Sequence, residues 1–242
     1  MTGILAAYFR QSTTRIKLVY NSIFIKQCIF CLSPSPQNIC HLCIETLPPL
    51  GTHCPQCAEP NQHGHICGEC LKHPQAFDQV ICPFLFQGPV AGLIQKLKRS
   101  SKVLGLECLE HTLSEQLLTY RFDAVLPMPY HWQKLIWRGH NPTGLLANRL
   151  SQSLDTPLWH GLTRTKATQS QQGLDKTQRQ SNMRRAFDCT NALAQQIKGK
   201  NLLLIDDVLT TGATGHAAAL VLKKHGAKSV TLACLARTPL KG

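Results

Sequence analysis

Two groups of residues in this 242-residue chain have the types and spacing for chemistry: an acidic pair followed by a threonine-rich turn, and eight cysteines set in pairs. Asp206 and Asp207 follow the apolar run Leu202–Ile205 and precede Thr210-Thr211-Gly212-Ala213-Thr214. Beyond Gly215, residues His216 to His225 read as a helix rich in Ala, Leu and Lys. A short apolar run suits a strand buried on both faces. Strand, small-residue turn and helix start together gather free N–H groups and the positive end of a helix dipole at one point, and Gly212 lets the backbone come close. Three threonine hydroxyls add donors, so a phosphate is the natural guest. Carboxylates beside an anion site make sense when the ligand also carries hydroxyls or a bridging Mg²⁺, as a ribose phosphate does. The plainer alternative is a solvated turn capped by Asp207. Neither a Gly-Lys-Ser/Thr P-loop nor a Gly-x-Gly-x-x-Gly dinucleotide turn is present.

The cysteine pairs are Cys28/Cys31, Cys40/Cys43, Cys54/Cys57 and Cys67/Cys70, and four further cysteines (Cys82, Cys108, Cys189, Cys234) stand singly among apolar residues. Residues 1–27 lack a continuous apolar run and a small-residue cleavage site, so no secretory signal is expected and thiolate metal sites are favoured over disulfides. Two Cys-x-x-Cys turns complete one closed tetrahedral Zn²⁺ site, and four make two. Eight residues separate Cys31 from Cys40, and nine separate Cys57 from Cys67. That spacing favours Cys28/31/40/43 for one zinc and Cys54/57/67/70 for the other, with a cross-braced pairing as the alternative. Residues 28–75 are dense in Pro, Gly and Ser and short of apolar residues, so metal binding is expected to supply much of their stability. Histidines 41, 53, 63, 65 and 73 are expected at the surface, since eight thiolates already suffice.

The elements that must position the acidic turn alternate between strands and helices, which implies a mostly parallel α/β sheet. Phe77 to Phe86 reads as a strand ended by a Gly88-Pro89 turn, and helices follow from about Val90 and about Val103. Lys96, Lys98 and Arg99 close the first of these helices, where cations ordinarily complement the dipole. Ala124–Leu126 is a buried strand running into Pro127-Met128-Pro129-Tyr130-His131, which would lie at the carboxyl edge where open α/β sheets bind ligands. Arg138-Gly-His-Asn141 leads into a helix over about Pro142–Ser153, and Val230–Leu235 supplies a last strand. Between them, Leu162 to Ala186 is polar and Gln-rich, carrying Arg164, Lys166, Thr168, Gln171, Arg179, Asn182, Arg184 and Arg185. It reads as a linker or as an arm that closes over a pyrophosphate group.

The net charge is +13, and Met128 to Lys200 holds eleven Lys/Arg against Asp155, Asp175 and Asp188. A region so basic can meet nucleic acid or a polyphosphate substrate. Aromatic residues are only 6%, which argues against extensive base stacking. No run of about 18 apolar residues appears, so no membrane insertion is expected. Residues 1–27 are expected to form an N-terminal arm, 28–75 a zinc module with two four-cysteine sites, and 76–242 the main domain.

The acidic turn resembles the phosphoribosyl pyrophosphate (PRPP) motif of type I phosphoribosyltransferases. With the paired cysteines, Pro127–His131, Arg138–Asn141, Leu162–Thr168 with Gln171, Arg179-x-x-Asn182 and Ala186-Phe187, the chain from about Cys28 onward resembles the ComF (ComFC/GntX-like) family. The resemblance implies a type I phosphoribosyltransferase-like domain beside a small zinc module, in a cytoplasmic protein that handles single-stranded DNA in natural transformation, alongside a competence helicase where one is present. It implies that Asp206 and Asp207 hold the ribose hydroxyls of PRPP, with Mg²⁺, and that Thr210, Thr211, Gly212, Ala213 and Thr214 bind the 5-phosphate. Met128 and Pro129 would lie at the pyrophosphate, and Arg164, Lys166 and Arg179 in the closing arm. The chain departs from the family at His140-Asn141-Pro142, where Phe-Asn-Gln is usual, and at Lys98-Arg-Ser-Ser101, where Lys-aromatic-x-Gly is usual. The second reading is a metabolic phosphoribosyltransferase acting on an acceptor that no residue of the sequence names.

Overall fold

A computed structural model describes residues 26–130, 139–164 and 186–239. They fall into two compact units, one ending at Thr46 and the other beginning at Leu47. The division runs between the two cysteine groups, so the second group folds with the sheet and not with the first. Among the described residues, the smaller unit holds one helix of a single turn, α1 (His41–Glu45), opened by Cys40 in extended conformation.

The larger unit begins with its own one-turn helix, α2 (Gly68–Lys72), and continues as an α/β layer structure. Its main sheet contains β1 (Gln79–Ile81), β2 (Phe84–Leu85), β3 (Ala124–Pro127), β6 (Asn201–Leu209) and β7 (Ser229–Arg237). The order is β1-β7-β6-β3, every pairing is parallel, and β2 continues along β7 where β1 leaves off. Outside β3, Leu158 pairs in parallel with Val125. The central strands are apolar because both faces are covered: Leu202 to Ile205 and Val230 to Ala236 are buried throughout.

The single strand expected over Phe77–Phe86 is broken at Cys82-Pro83. Proline has no N–H to give the ladder, and the Pro83 carbonyl instead accepts from Leu50 N at 2.8 Å. Gly88-Pro89 does not end that strand as a turn but opens α3 (Gly88–Leu97), with proline at a first-turn position where its missing donor costs nothing. Helix α3 buries Val90, Leu93, Ile94 and Leu97; α4 (Leu106–Leu117) buries Leu106, Leu109, Leu113 and Leu117. Helix α5 (Pro142–Ser153) spans the residues expected of it.

Two strands and a helix late in the chain were not foreseen. Strands β4 (Leu162–Arg164) and β5 (Phe187–Cys189) pair antiparallel, Leu162 opposite Cys189 and Arg164 opposite Phe187. The polar segment therefore leaves and rejoins the fold through a ribbon; residues 165–185 lie outside the described residues. Helix α6 (Asn191–Gln196) follows, its start capped by Thr190, whose hydroxyl accepts from Leu193 N at 3.4 Å.

Helix α7 (Ala213–Lys224) begins three residues earlier than the sequence suggested. Gly212 caps it at φ +77°, a left-handed conformation that favours glycine. Gly215 lies so close to β7 that a Cβ there would sit 2.6 Å from Leu232 Cδ2 and 3.2 Å from Phe77 Cε1. Helix and sheet are thus held together at the turn where the acidic strand ends.

Candidate functional site

Strand β6 runs through the acidic pair, placing both carboxylates at the carboxyl edge of the sheet. Asp207 is buried, and its Oδ2 receives the Tyr130 hydroxyl at 3.1 Å and lies 3.1 Å from Lys98 Nζ. Its Oδ1 accepts from Val208 N at 2.7 Å. Asp206 Oδ1 accepts from Asp207 N at 2.9 Å. Burial and the adjacent Asp207 charge push the Asp206 pKa up to about 8, against the opposing pull of Lys98 and Arg164. Arg164, at the end of β4, carries its guanidinium carbon 5.5 Å above the Phe187 ring, across the ribbon. Two carboxylates, a lysine, an arginine and a phenol thus share one electrostatic field.

Next to this cluster the chain turns through Thr210–Gly212 into α7. Thr210, Thr211 and Ala213 are exposed, and Thr214 is half-buried. Thr211 Oγ1 accepts from Ala213 N at 3.4 Å, the one hydrogen bond at this turn in which a threonine hydroxyl takes a backbone amide among the described residues. The arrangement has the geometry of an anion cradle at the start of a twelve-residue helix.

The loop after β3 adjoins the same edge. Met128 N donates to Ile205 O at 2.8 Å, and its carbonyl accepts from the buried Thr143 hydroxyl at 2.7 Å. Its side chain is buried in the core. Met128 is therefore an anchor that presents Pro129 and Tyr130. Beside them opens a cavity of about 200 Å³ lined by Pro129, Tyr130, Asn141, Trp159, His160 and neighbouring apolar groups.

Lys98 joins this cluster although the sequence explained it otherwise, and Tyr130, expected only as part of the Pro127–His131 loop, contacts Asp207 directly. Lys98 sits at the C-cap of α3, where a dipole-complementing role explained it without any partner. The usual family lysine at this position was the available signal. His140 helps hold it: His140 Nε2 lies 2.7 Å from the Leu97 carbonyl oxygen, the group just before Lys98. The histidine that departs from the family pattern thus ties the end of α3 to the start of α5. Lys166 and Arg179 of the expected arm, with His131 and Arg138, lie outside the described residues.

The cysteines assemble as two tetrads, Cys28/31/40/43 and Cys54/57/67/70, with the four sulfurs of each within 4.8 Å of one another. Cys31 and Cys40 Sγ are 3.6 Å apart, as are Cys57 and Cys67. Tetrahedral Zn²⁺ with bonds of about 2.3 Å needs sulfurs about 3.8 Å apart, so both donor sets fit zinc, in sequential and not cross-braced pairing. His41, His63, His65 and His73 are exposed, while His53 Nδ1 lies 2.6 Å from the Gly51 carbonyl oxygen.

Comparison with known proteins agrees with this layout. A double zinc ribbon family model matches residues 19–71, and a phosphoribosyl transferase domain model matches residues 144–241. The chain is 33% identical over 211 residues to the DNA utilization protein YhgH of Escherichia coli K12, covering 83% of this chain and 91% of that protein. It is 29% identical to competence protein F of Haemophilus influenzae, covering 89% and 99%. The chain belongs to the ComF family. Its fold is the type I phosphoribosyltransferase fold joined to a double zinc ribbon. Among solved structures, a purine phosphoribosyltransferase from Pyrococcus horikoshii is 24% identical over 55% of this chain and 73% of its own, with a TM-score of 0.35. ComF membership accounts for both tetrads and for the acidic turn within one chain.

Proposed function

We propose that the carboxyl edge of the sheet binds PRPP, and that the protein is a ComF-type factor that handles single-stranded DNA during natural transformation. The observation that carries the PRPP reading is the meeting of Asp206 and Asp207 with Lys98, Tyr130 and Arg164 beside the donor-rich turn Thr210–Thr214. The carboxylates accept hydrogen bonds from the ribose hydroxyls, and the turn takes the 5-phosphate. The cations Lys98 and Arg164 stand where the pyrophosphate charge must be balanced. Asp206 and Asp207 are the oxygen donors available to Mg²⁺, which would neutralise the leaving group. Lys166 and Arg179, outside the described residues, would add positive charge against the same group. A transfer reaction here would run by displacement of pyrophosphate at the ribose C1, helped by positioning and electrostatics.

The DNA reading rests on relatives named for competence and DNA utilization. A surface of suitable chemistry lies at the opposite, amino-terminal edge of the sheet. There the exposed Tyr120 stacks on Phe122, ring centroids 6.1 Å apart, with Arg121 between them in sequence and Lys198, Lys200 and Lys228 on adjoining turns. Rings beside cations suit a flexible single strand. A helicase partner and a cytoplasmic location accord with this role; among the described residues no helix is long and apolar enough to cross a membrane. The cavity beside Tyr130 favours a second reading, a phosphoribosyltransferase with a small acceptor seated next to the pyrophosphate.

Calorimetric titration of the purified protein with PRPP, with and without Mg²⁺ and single-stranded DNA, tests these readings. PRPP should bind, and Asp206→Ala/Asp207→Ala should abolish that binding while leaving both zincs in place. Unchanged PRPP affinity in the double variant sinks the assignment. DNA affinity should fall steeply with added salt; a salt-independent signal counts against the DNA reading.

A further inference from the structure

The phosphate turn is tied to the second cysteine tetrad by a buried ion pair. Arg237, near the end of β7, is almost wholly buried, and its Nη2 lies 2.6 Å from Glu59 Oε2. Its Nη1 donates to the carbonyl of Leu209 at 3.2 Å and to that of Thr238 at 2.7 Å. Leu209 is the last residue of β6, directly before Thr210. Its carbonyl also accepts from Thr238 N at 2.9 Å, so the base of the turn is clamped on one oxygen by two donors. Glu59 stands two residues beyond Cys57, and its own carbonyl accepts from Cys54 N at 2.8 Å inside the tetrad's first knuckle. Charge, carboxylate and metal ligand are linked by consecutive short bonds.

A second connection runs from the other end of the tetrad. The chain leaving Cys70 reaches Gln75, Ala76 and Phe77, which pack on the start of α7. Ala76 N donates to His216 Nδ1 at 3.1 Å. Gln75 Oε1 and Phe77 Cζ lie 3.6 Å and 3.7 Å from where a Cβ on Gly212 would be. The turn is thus held from before, at Leu209, and from after, at Gly212 and His216, by residues flanking one metal site.

We infer that the second zinc site positions the phosphate turn, with Glu59 and Arg237 as positioning residues, so that metal occupancy at Cys54/57/67/70 and affinity for a sugar phosphate are thermodynamically linked. This rests on the reading of Thr210–Thr214 as the 5-phosphate site. Linkage is reciprocal: whatever factor the metal adds to phosphate affinity, the phosphate returns to metal affinity.

Full-length protein carrying both zincs is titrated with ribose 5-phosphate and, separately, with magnesium pyrophosphate, which has no 5-phosphate. Glu59→Gln should weaken ribose 5-phosphate binding by roughly tenfold, a size usual for coupling between sites, and leave magnesium pyrophosphate binding unchanged; Glu59→Asp should recover part of the loss. An equal loss for both ligands, or none for ribose 5-phosphate, overturns the inference. Because a core variant can fail to fold, the second measurement uses no change at the clamp. Chelator extraction of zinc from Cys28→Ser/Cys31→Ser protein, which keeps only the second site, should slow several-fold when ribose 5-phosphate is present. An extraction rate indifferent to the ligand, in protein that binds it, overturns the linkage alone. Protein that binds neither ligand overturns the phosphate site and the linkage with it.

Discussion

The two cysteine tetrads are close structural repeats put to different use. In each, the second pair opens a five-residue helix from an extended cysteine, Cys40 at φ −72° and Cys67 at φ −73°. In each, the amide of that cysteine donates to the sulfur of the first, Cys40 N to Cys28 Sγ at 3.4 Å and Cys67 N to Cys54 Sγ at 3.3 Å. The residue after each first knuckle is left-handed, Leu32 at φ 61° and Ala58 at φ 56°. Here the likeness ends: Leu32 is 66% exposed, whereas Ala58 is fully buried in the main core with Leu50 and Phe77. Metal chemistry fixes the local chain path in both. The residue just past the knuckle marks the difference: exposed in the smaller unit, buried in the core of the larger one.

The largest difference should appear on removing one metal at a time. Free energies of structural zinc binding are about 10–16 kcal/mol in small domains, comparable with the whole stability of a folded protein. Cys54→Ser/Cys57→Ser should therefore abolish the cooperative thermal transition of the unit beginning at Leu47. Cys28→Ser/Cys31→Ser should leave that transition and ribose 5-phosphate binding in place, with one zinc per chain by metal analysis. Equal damage from both variants would erase the distinction between the tetrads.

A subtler exchange asks whether burial after the knuckle is the cause. Ala58→Leu gives the second repeat the residue of the first, and extra methylenes in a packed core cost about 1–3 kcal/mol. Leu32→Ala makes the reciprocal change at an exposed position, where effects stay within about 0.5 kcal/mol. Denaturant unfolding of the two variants should separate by at least about 0.5 kcal/mol; matching midpoints would show that Ala58 is not what docks the second knuckle.

The tetrads also mark the boundary between features legible in the sequence and features that only folding creates. Cysteine pairing, the acidic strand and α5 depend on residues close together in the chain, so spacing and periodicity carried them. The strand break at Pro83 and the helix opening at Pro89 were legible too, from the missing N–H of proline, but the apolar run around them dominated the pattern. Lys98 to Asp207, Tyr130 to Asp207 and Glu59 to Arg237 join residues far apart in sequence. Each partner alone has an ordinary surface or core explanation, and only the fold brings them together. The β4–β5 ribbon escaped because three-residue strands flanking a long polar segment show no period.

The smallest expected effect concerns Asp206, inside the unit that also holds the second tetrad. Burial and Asp207 raise the Asp206 pKa from 3.8 in the unfolded chain to about 8. Between these values the folded state binds more protons than the unfolded state, so stability must fall as pH rises through the window. Cysteine ligands act in the opposite direction, because thiolates protonate and release metal as pH falls. Above about pH 6 the two slopes are therefore separable by sign. Unfolding free energy of the larger unit should drop by about 1 kcal/mol from pH 6 to pH 8, the discount from the full shift allowing for partial solvent exposure of Asp206. Asp206→Asn, which cannot ionise, should flatten that slope and raise stability at pH 8 while weakening PRPP binding. A slope that survives the substitution would place the titrating group elsewhere and leave Asp206 ionised in the free protein. Retained slope together with intact ligand affinity would remove Asp206 from the site altogether.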